Sequence, residues 1–359
     1  MPKLLEKNQT TWRKVKLGEV MKTARVDYEK VKTSEYQQTG RLPIFDQGSD
    51  TIAGYTDNPK AEYRGKSPAI LFGDHTLKLK IAQPPFAIGA DGIQILEPDE
   101  NLLDRKFFYY ALKGLKVKSY GYERHMKYLR ELDIACPAVS DQKRIADILS
   151  AFDDKIELNN KISKNLEATA QAIFKEWFVD SEKLKVKSEK LESICDIVYG
   201  KDLPTRNLKK HGFLVYGGNG VIGYSDKYLY SEPQIIVGCR GAYSGNIFKT
   251  EPKSFVTHNS LVLKIKEGKK IGINYLLYAL QKSNVKSSMT GSAQPQITIA
   301  ELNMVEIPTA DDKSTARFEE VAGTIENYKF KIIKENQKLA ALRDLLLPKL
   351  MSGEILVKS

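Results

Sequence analysis

Hydrophobic residues follow two different periods along this chain of 359 residues. Short apolar runs separated by Gly, Pro, Asn and Asp, such as PAILFGD, GIQILEP, QIIVGCRG and SLVLKIK, predict strands and turns. From 140 to 180 the pattern changes, because apolar residues there recur every third or fourth position. The resulting heptad stripe predicts one long amphipathic helix. Its members are Ile145, Leu149, Phe152, Ile156, Leu166, Ala170, Ile173 and Trp177, with Asn159 and Ser163 completing the seam.

The same stripe recurs 173 residues later, with polar residues at three seam positions. Its members are Phe318, Ala322, Ile325, Lys329, Ile332, Asn336, Leu339, Arg343, Leu346 and Leu350. Two helices with matching stripes bury them most simply against each other, and the globular segment between them favours antiparallel pairing. The polar seam residues cost stability but help to fix the register. The alternative is that each helix only completes a domain core.

The globular segments also repeat. IAGYTD at 52–57 matches VIGYSD at 221–226, SPAILFGD at 67–74 matches EPQIIVGC at 232–239, and FFYYALKG at 107–114 matches YLLYALQK at 275–282. The predicted fold is therefore α+β: two globular domains and two long helices that pair as an antiparallel coiled coil, with internal pseudo-twofold symmetry. The predicted boundaries are 1–139 for the first domain, 140–180 for the central helix, 181–312 for the second domain and 313–359 for the C-terminal helix.

The net charge of +11 is concentrated in the two globular segments. Residues 1–140 carry +5 and residues 181–313 carry +6, whereas the helical segments 141–180 and 314–359 carry −2 and +2. Two basic domains of divergent sequence, held apart by paired helices, suit the reading of two different half-sites on one DNA duplex. Three scattered cysteines, no membrane-spanning run and no signal peptide favour a cytoplasmic protein.

The chain resembles the specificity subunits of type I restriction–modification systems over almost its whole length. DQKRIADILSAFDDKIELNNKISKNLEATAQAIFKEWFVD (141–180) and LRDLLLPKLMSGEI (342–355) resemble the family's spacer regions. Two further sets of strings resemble two classes of target-recognition domain: ILFGDHT, FAIGADGIQIL and GYERHMKYL in the first segment, and YGGNGVIGYSD, IIVGCRGAYSG and SFVTHNS in the second.

The resemblance implies a non-catalytic subunit whose two recognition domains read a bipartite, asymmetric target in double-stranded DNA. Its implied partners are two methyltransferase subunits and, optionally, two restriction subunits. This chain would bind no cofactor itself. S-adenosylmethionine, and ATP with Mg²⁺ for restriction, would belong to the partner subunits.

Candidate DNA contacts lie in two polar stretches of the first domain. GYERHMKYLR offers Tyr122, Arg124, His125, Lys127 and Arg130, since Arg can read guanine and Lys usually holds phosphate. The alternative is a loop in which tyrosine packs and the charges are solvated. In FGDHT, Asp74 and His75 could reach a base edge or could form a strand-end turn.

The second domain offers Arg240 on a glycine-bounded turn, and Gln294 and Gln296 in a polar loop. Glutamine suits bidentate pairing with adenine. The segment that contains QPQ holds the place in this copy that ERHMKYL holds in the first. We therefore expect both segments to read bases, in different half-sites.

Apolar residues near the helix ends are candidates for docking partner subunits. They are Phe174, Trp177 and Phe178 in the first helix and Leu345, Leu346 and Met351 in the second. The alternative for these side chains is packing onto the adjacent domain.

Motifs of catalysis and nucleotide binding are incomplete. QPPFA at 83–87 lacks the leading Asn or Asp of an adenine methyltransferase, and Lys60 stands where a P-loop needs glycine. Gly218-x-Gly220-x-x-Gly223 has dinucleotide-loop spacing but continues into a strand-rich stretch, which predicts turn glycines. Two rival functions remain: an architectural coiled-coil scaffold that spaces two partner-binding modules without reading DNA, and an enzyme with an unrecognised site.

Overall fold

The computed structural model describes residues 5–7, 12–24, 28–89, 92–118, 121, 123–181, 184–291 and 295–357. The chain divides into two compact units. Unit 1 comprises Met1–Leu158 with Glu335–Ser359, and unit 2 comprises Asn159–Lys334. The division falls inside both long helices, so each unit contains part of each.

The described elements follow one another in a repeating order. The helices are α1 (Leu17–Val20), α2 (Arg105–Gly114), α3 (Met126–Arg130), α4 (Val139–Phe178), α5 (Leu191–Ile194), α6 (Ile273–Lys282), α7 (Ile299–Asn303) and α8 (Asp312–Met351). The strands are β1 (Leu5–Lys7), β2 (Arg13–Lys16), β3 (Met21–Thr23), β4 (Leu42–Phe45), β5 (Gly54–Thr56), β6 (Ala69–Gly73), β7 (Leu79–Ala82), β8 (Ala87–Ile88), β9 (Ile93–Pro98), β10 (Asp133–Cys136), β11 (Lys187–Lys190), β12 (Cys195–Tyr199), β13 (Phe213–Gly217), β14 (Gly220–Ser225), β15 (Ile235–Gly238), β16 (Ile247–Lys249), β17 (Phe255–Val256), β18 (Ser260–Ile265), β19 (Glu306–Thr309) and β20 (Ile355–Val357).

The described sheets of unit 1 have a counterpart in unit 2, strand for strand, apart from the β1–β20 pair. In unit 1 the order β3-β9-β6-β7 forms one sheet, β5-β4-β8 a second, and β2 pairs with β10. In unit 2 the orders are β12-β18-β15-β16 and β14-β13-β17, and β11 pairs with β19. In both units the central strand of the three-stranded sheet has one antiparallel and one parallel neighbour. The predicted tandem repeat of α+β segments is confirmed.

The core of unit 1 forms where α2 packs against the long helices. Phe107 and Phe108 of α2 are buried together with Ile145 and Leu149 of α4 and Leu350 of α8. Burying a side chain of this size contributes roughly 1.5–3 kcal/mol. The long helices therefore complete the core of this unit as well as contacting each other.

Unit 2 repeats the arrangement with an aromatic cluster. Tyr275 and Tyr278 of α6 contact Phe174 and Phe178 of α4 and Phe318 of α8 within one buried core. The rings of Phe178 and Phe318 meet edge to face, with centroids 5.6 Å apart. Such edge-to-face pairs add directional stabilisation to area burial.

The two long helices have equal lengths of 40 residues and start 173 residues apart. Within unit 1, Lys155 in the first half of α4 lies 3.9 Å from Glu335 in the second half of α8. Within unit 2 the second half of α4 faces the first half of α8, where Glu167 pairs with Lys329. Each unit therefore holds antiparallel helix segments, which confirms the predicted coiled-coil pair.

The seam residues predicted from the sequence are buried or half-buried throughout both helices. Pro348 lies inside the last turns of α8 without ending it. Gly353, two residues after the end of α8, has a φ of 74°, the left-handed conformation that commonly terminates helices. None of the described helices has the apolar length and low charge required to cross a bilayer.

Candidate nucleic-acid interface

The turn that follows β6 is fixed by Asp74. Its amide donates to the Gly92 carbonyl at 2.7 Å, and its own carbonyl accepts from the His125 amide at 2.9 Å. Its carboxylate Oδ1 accepts from the Met126 amide at 2.8 Å. Asp74 is 3% exposed and His125 is 0% exposed. These hydrogen bonds tie the turn to the start of α3.

The burial of Asp74 and His125 corrects the expectation that these side chains contact bases. His125 Nδ1 lies 2.8 Å from the Asp74 carbonyl oxygen. The polar atoms of both residues are thus directed into the protein, where they position the neighbouring backbone. Their structural role matches the alternative of a strand-end turn.

Solvent-accessible polar groups lie on either side of this fixed point. Arg124 is exposed, and His75 is half-buried. Gln47, His75, Thr76 and Gly121 line an open cleft of about 540 Å³. The Thr76 hydroxyl donates to the Gln47 carbonyl at 2.6 Å, which holds two of the lining loops together.

The remaining candidates of the first domain lie on or beside α3, which is a short helix where the sequence suggested a loop. Lys127 Nζ is 3.0 Å from Glu123 Oε2 and 4.6 Å from the centre of the Tyr128 ring. Arg130 Nη2 donates to Thr23 Oγ1 at 3.1 Å. Lys127 is exposed and Arg130 is half-buried. Tyr122 lies outside the described residues.

In unit 2 the corresponding turn follows β15 and is fixed by Cys239. The Cys239 amide donates to the Asn259 carbonyl at 3.0 Å, and its carbonyl accepts from the Ile297 amide at 3.1 Å. Burial raises the pKa of the Cys239 thiol, so this side chain is a neutral group at physiological pH. Its Sγ lies 3.7 Å from the His258 carbonyl oxygen.

Arg240 and Gln296 are brought together beside this fixed point. They form an antiparallel bridge, and both are exposed. Next to them, the Gly241 amide donates to the Pro295 carbonyl at 2.8 Å. Gly241 has a φ of 68°, a conformation that side chains other than glycine rarely adopt. Gln294 lies outside the described residues.

The two fixed points are equivalent. Asp74 and Cys239 each follow the glycine that ends a central strand, β6 or β15. Each amide donates to the carbonyl of the residue that precedes the next strand of the sheet, β9 or β18. The Asp74 carbonyl accepts from the amide of the residue directly before α3. The Cys239 carbonyl accepts from the amide of the residue two positions before α7. The duplication has preserved the backbone hydrogen bonds while the side chains diverged.

The shared hydrogen bonds define equivalent solvent-accessible positions in the two units. His75 and Arg240 follow the two fixed residues directly. Arg124 and Gln296 directly precede the two amides that donate to those residues. We call His75 with Arg124 the reading pair of unit 1, and Arg240 with Gln296 the reading pair of unit 2.

Two further exposed or polar side chains near the second reading pair were missed by the sequence reasoning. Tyr243 lies on the same turn as Arg240 and is 49% exposed. Asn219 Oδ1 accepts from Asn246 Nδ2 at 3.3 Å, which joins the β13–β14 turn to this turn. In the sequence, Tyr243 could have been recognised as a candidate because it is an aromatic residue flanked by Gly241 and Gly245.

The glycine pattern 218–223 forms part of a hairpin. β13 and β14 pair antiparallel up to Gly217 and Gly220, and Gly220 has a φ of 84°. This geometry confirms the interpretation of the pattern as turn chemistry. A dinucleotide-binding loop would instead lead from a strand into a helix.

The docking candidates of α4 are mostly interior. Phe174 and Phe178 are each 1% exposed and belong to the core of unit 2. Their burial corrects the expectation that they form a docking surface, and it supports the alternative of packing onto the adjacent domain. Trp177 is half-buried, with the Arg317 guanidinium 5.2 Å from its ring centre.

On α8, Leu346 and Met351 are half-buried against the core of unit 1, whereas Leu345 is 59% exposed. Other exposed apolar residues of α8 were not among the candidates, because the candidates were chosen along the seam. They are Tyr328, Phe330, Ile333 and Leu342. These residues could have been recognised as exposed because they are apolar residues at helix positions outside the heptad seam.

Metal ligation has no candidate site in the described part of the chain. There, no group of three or more His, Cys, Asp and Glu side chains is placed to hold a metal ion. His258 Nδ1 lies 3.2 Å from Asp202 Oδ1, but among the described residues this pair has no third ligand of that kind.

Comparison with known sequences identifies a family. The family model described as "Type I restriction modification DNA specificity domain" matches residues 9–168 and 183–338. The HindI specificity subunit of Haemophilus influenzae is 29% identical over 142 residues, which cover 36% of this chain and 29% of that protein. The MjaIX specificity subunit of Methanocaldococcus jannaschii is 26% identical over 277 residues, which cover 64% of this chain and 62% of that protein. The matches thus span less than two thirds of either relative.

Comparison with solved structures supports the fold over the whole chain. The crystal structure of the S subunit of a type I restriction–modification system from M. genitalium superposes with a TM-score of 0.59 at 21% sequence identity. The superposition covers 96% of this chain and 97% of that one. At this identity the similarity concerns the fold alone.

Proposed function

Because this chain belongs to the type I restriction–modification DNA specificity family, we propose that it is the non-catalytic subunit that selects the DNA target of such a complex. In this proposal each unit reads one half of a bipartite target in double-stranded DNA. The observation that carries the proposal is the pair of equivalent fixed points, which present solvent-accessible polar side chains in the same places of both units, three of them exposed and His75 half-buried.

The chemistry of the second reading pair suits the edges of bases. Arginine can donate two hydrogen bonds to guanine, and glutamine can both donate to and accept from adenine. Arg240 and Gln296 are exposed and adjacent. Their backbone is held by hydrogen bonds within the unit, so ordering these two backbone segments would cost little entropy on binding.

The target should be asymmetric because the two reading pairs differ. Unit 1 presents His75 and Arg124, whereas unit 2 presents Arg240 and Gln296. Lys127 of unit 1 is a candidate for phosphate contact, since lysine usually holds phosphate rather than reading bases. Asp74 and His125 support the reading pair from within the protein.

The chemistry of methylation and restriction would belong to partner subunits. We propose two methyltransferase subunits, which would bind S-adenosylmethionine, and optionally two restriction subunits, which would use ATP and Mg²⁺. Exposed apolar residues of α8, including Leu345, are the candidates for docking the methyltransferase. The rival role, a scaffold that reads no DNA, gives no function to the equivalent, solvent-accessible reading pairs.

Exchange of one domain tests this proposal. The full chain would be produced together with the methyltransferase subunit of its system, and methylated sites would be mapped across a genome by single-molecule sequencing. Replacing residues 181–312 by the matching segment of another specificity subunit should change one half of the methylated motif and keep the other. An unchanged motif, or methylation without an interrupted motif, would refute the proposal.

A further inference from the structure

A basic groove lies in unit 2 beside the three-stranded sheet. It is an open cleft of about 540 Å³ between the segment that follows β12 and the turn that follows β14. Four cations contribute to its lining, and all four are exposed: Lys201, Arg206, Lys209 and Lys227. The groove therefore gathers positive charge from two separate loops.

The charge of the groove is available for a ligand. In the described part of the chain, none of these four cations has a carboxylate within ion-pairing distance of 4.0 Å. The groove also contains Asp202 and Asp226. Asp202 Oδ1 faces His258 Nδ1 at 3.2 Å rather than a cation of the groove. Four cations against two carboxylates leave the lining with an excess of positive charge.

The corresponding loops of unit 1 are more nearly neutralised. Arg41 Nη2 is 2.9 Å from Glu62 Oε2, and Lys60 Nζ is 3.9 Å from Glu29 Oε1. Lys30 and Lys32 are exposed there, and neither has such a partner among the described residues. Among the described residues of these loops, the excess of unpaired cations is thus greater in unit 2, although the two units share one topology.

The groove is joined to the second reading pair through the backbone. The His258 amide donates to the Lys201 carbonyl at 3.1 Å. The next residue, Asn259, accepts from the amide of Cys239, which directly precedes Arg240. One end of the groove is therefore held close in the structure to the turn that presents Arg240.

We infer that this groove binds the phosphodiester backbone of DNA next to the bases read by Arg240 and Gln296. The inference rests on the proposed DNA-reading function and assigns separate roles in DNA binding to individual residues. Lys201, Arg206, Lys209 and Lys227 contribute affinity that does not depend on sequence, whereas the reading pair contributes selectivity. Exposed lysines suit phosphate contacts because each is a compact charge on a flexible stem, and the guanidinium of Arg206 suits them because it can hold a phosphate bidentately.

Salt dependence of binding separates these two roles. The double variant Lys201→Gln/Lys209→Gln would be compared with Lys282→Gln/Lys313→Gln, which removes the same charge from exposed positions of unit 2 outside the groove lining. Each full chain, assembled with its methyltransferase subunit, would be titrated with a duplex bearing its mapped motif and with a duplex of unrelated sequence, over a range of KCl concentrations. Melting temperatures would verify folding.

The groove variant should weaken binding to both duplexes by the same factor and keep their affinity ratio. The slope of log K against log[salt] should become shallower by up to about 2, since each lost phosphate contact removes roughly 0.9. The control variant should keep the wild-type slope. Equal slopes for both variants, or a loss confined to the motif duplex, would overturn the groove assignment. Equal affinity of the unmodified chain for both duplexes would instead overturn the proposed function.

Discussion

The hydroxyl of Tyr278 on α6 donates to Oε1 of Glu326 on α8 at 2.7 Å. The first repeat has an equivalent bond, in which the hydroxyl of Tyr110 on α2 donates to Oδ2 of Asp153 on α4 at 2.8 Å. Asp153 and Glu326 are 173 residues apart, the same offset as the long helices. In each unit a tyrosine of the globular part therefore donates a hydrogen bond to a carboxylate of a long helix, α4 in unit 1 and α8 in unit 2.

A cation completes each of these networks. Arg343 of α8 contacts Asp153, and Lys329 of α8 contacts both Glu326 and Glu167. Burial alone would lower the pKa of Lys329, but the two carboxylates raise it above the usual value. The polar seam positions Lys329 and Arg343 are thus neutralised within their units, which explains how a heptad seam accommodates them.

Tyr278→Phe should lower the free energy of unfolding by about 1–3 kcal/mol, because it removes a donor from a half-buried carboxylate. Urea unfolding followed by circular dichroism measures this change. The control is Tyr328→Phe, which alters an exposed tyrosine of α8 and should leave stability within about 0.5 kcal/mol of the original. Equal effects of the two variants would contradict a structural role for the Tyr278–Glu326 bond.

Lys329→Met should destabilise unit 2 strongly, by about 3–5 kcal/mol, since it leaves Glu167 and Glu326 close together without a cation. The double variant Lys329→Met/Glu167→Gln should recover part of this loss. The raised pKa of Lys329 means that its stabilisation is complete below the unfolded value of 10.5 and is lost as the pH rises through the folded value. The difference in stability between the original chain and Lys329→Met should therefore stay constant between pH 7 and pH 9. A difference that fell over that range would disagree with this account.

Phe174→Ala and Leu345→Ala should behave differently, although both residues are apolar and lie on long helices. The first removes a ring from the core of unit 2 and should cost about 3–5 kcal/mol of stability. The second shortens an exposed side chain and should leave the melting temperature unchanged. If Leu345 docks a methyltransferase subunit, its variant should weaken co-purification with that subunit. Unchanged association constants in a titration would remove Leu345 from the docking surface.

The sequence predicted the repeat and the seam because both depend on local periodicity. Ile145 and Phe318 could be assigned to the interior from spacing alone, and the structure buries both. At Phe174, however, the spacing of apolar residues could not show whether the side chain lies on a docking surface or in a domain core. That residue lies beside the seam, on the face of α4 that packs against α6, and only tertiary contacts decide what covers it.

The sequence predicted which segments form the candidate site, but not which of their side chains are exposed. The turn at Asp74 and the segment at His125 are 51 residues apart, and their hydrogen bonds turn both side chains inward. No local pattern reveals such a long-range contact. By contrast, Arg240 and Arg124 were expected at the surface from their charge and surroundings, and both are exposed.

Methylation mapping of reading-pair variants tests most directly the claim that each unit reads its own half of the target. Arg240→Ala/Gln296→Ala and His75→Ala/Arg124→Ala would be made in the full chain and assembled with the methyltransferase subunit. The first variant should relax or alter only one half of the methylated motif, and the second only the other half. An unaltered motif in both variants, or changes in both halves from either variant, would contradict the account.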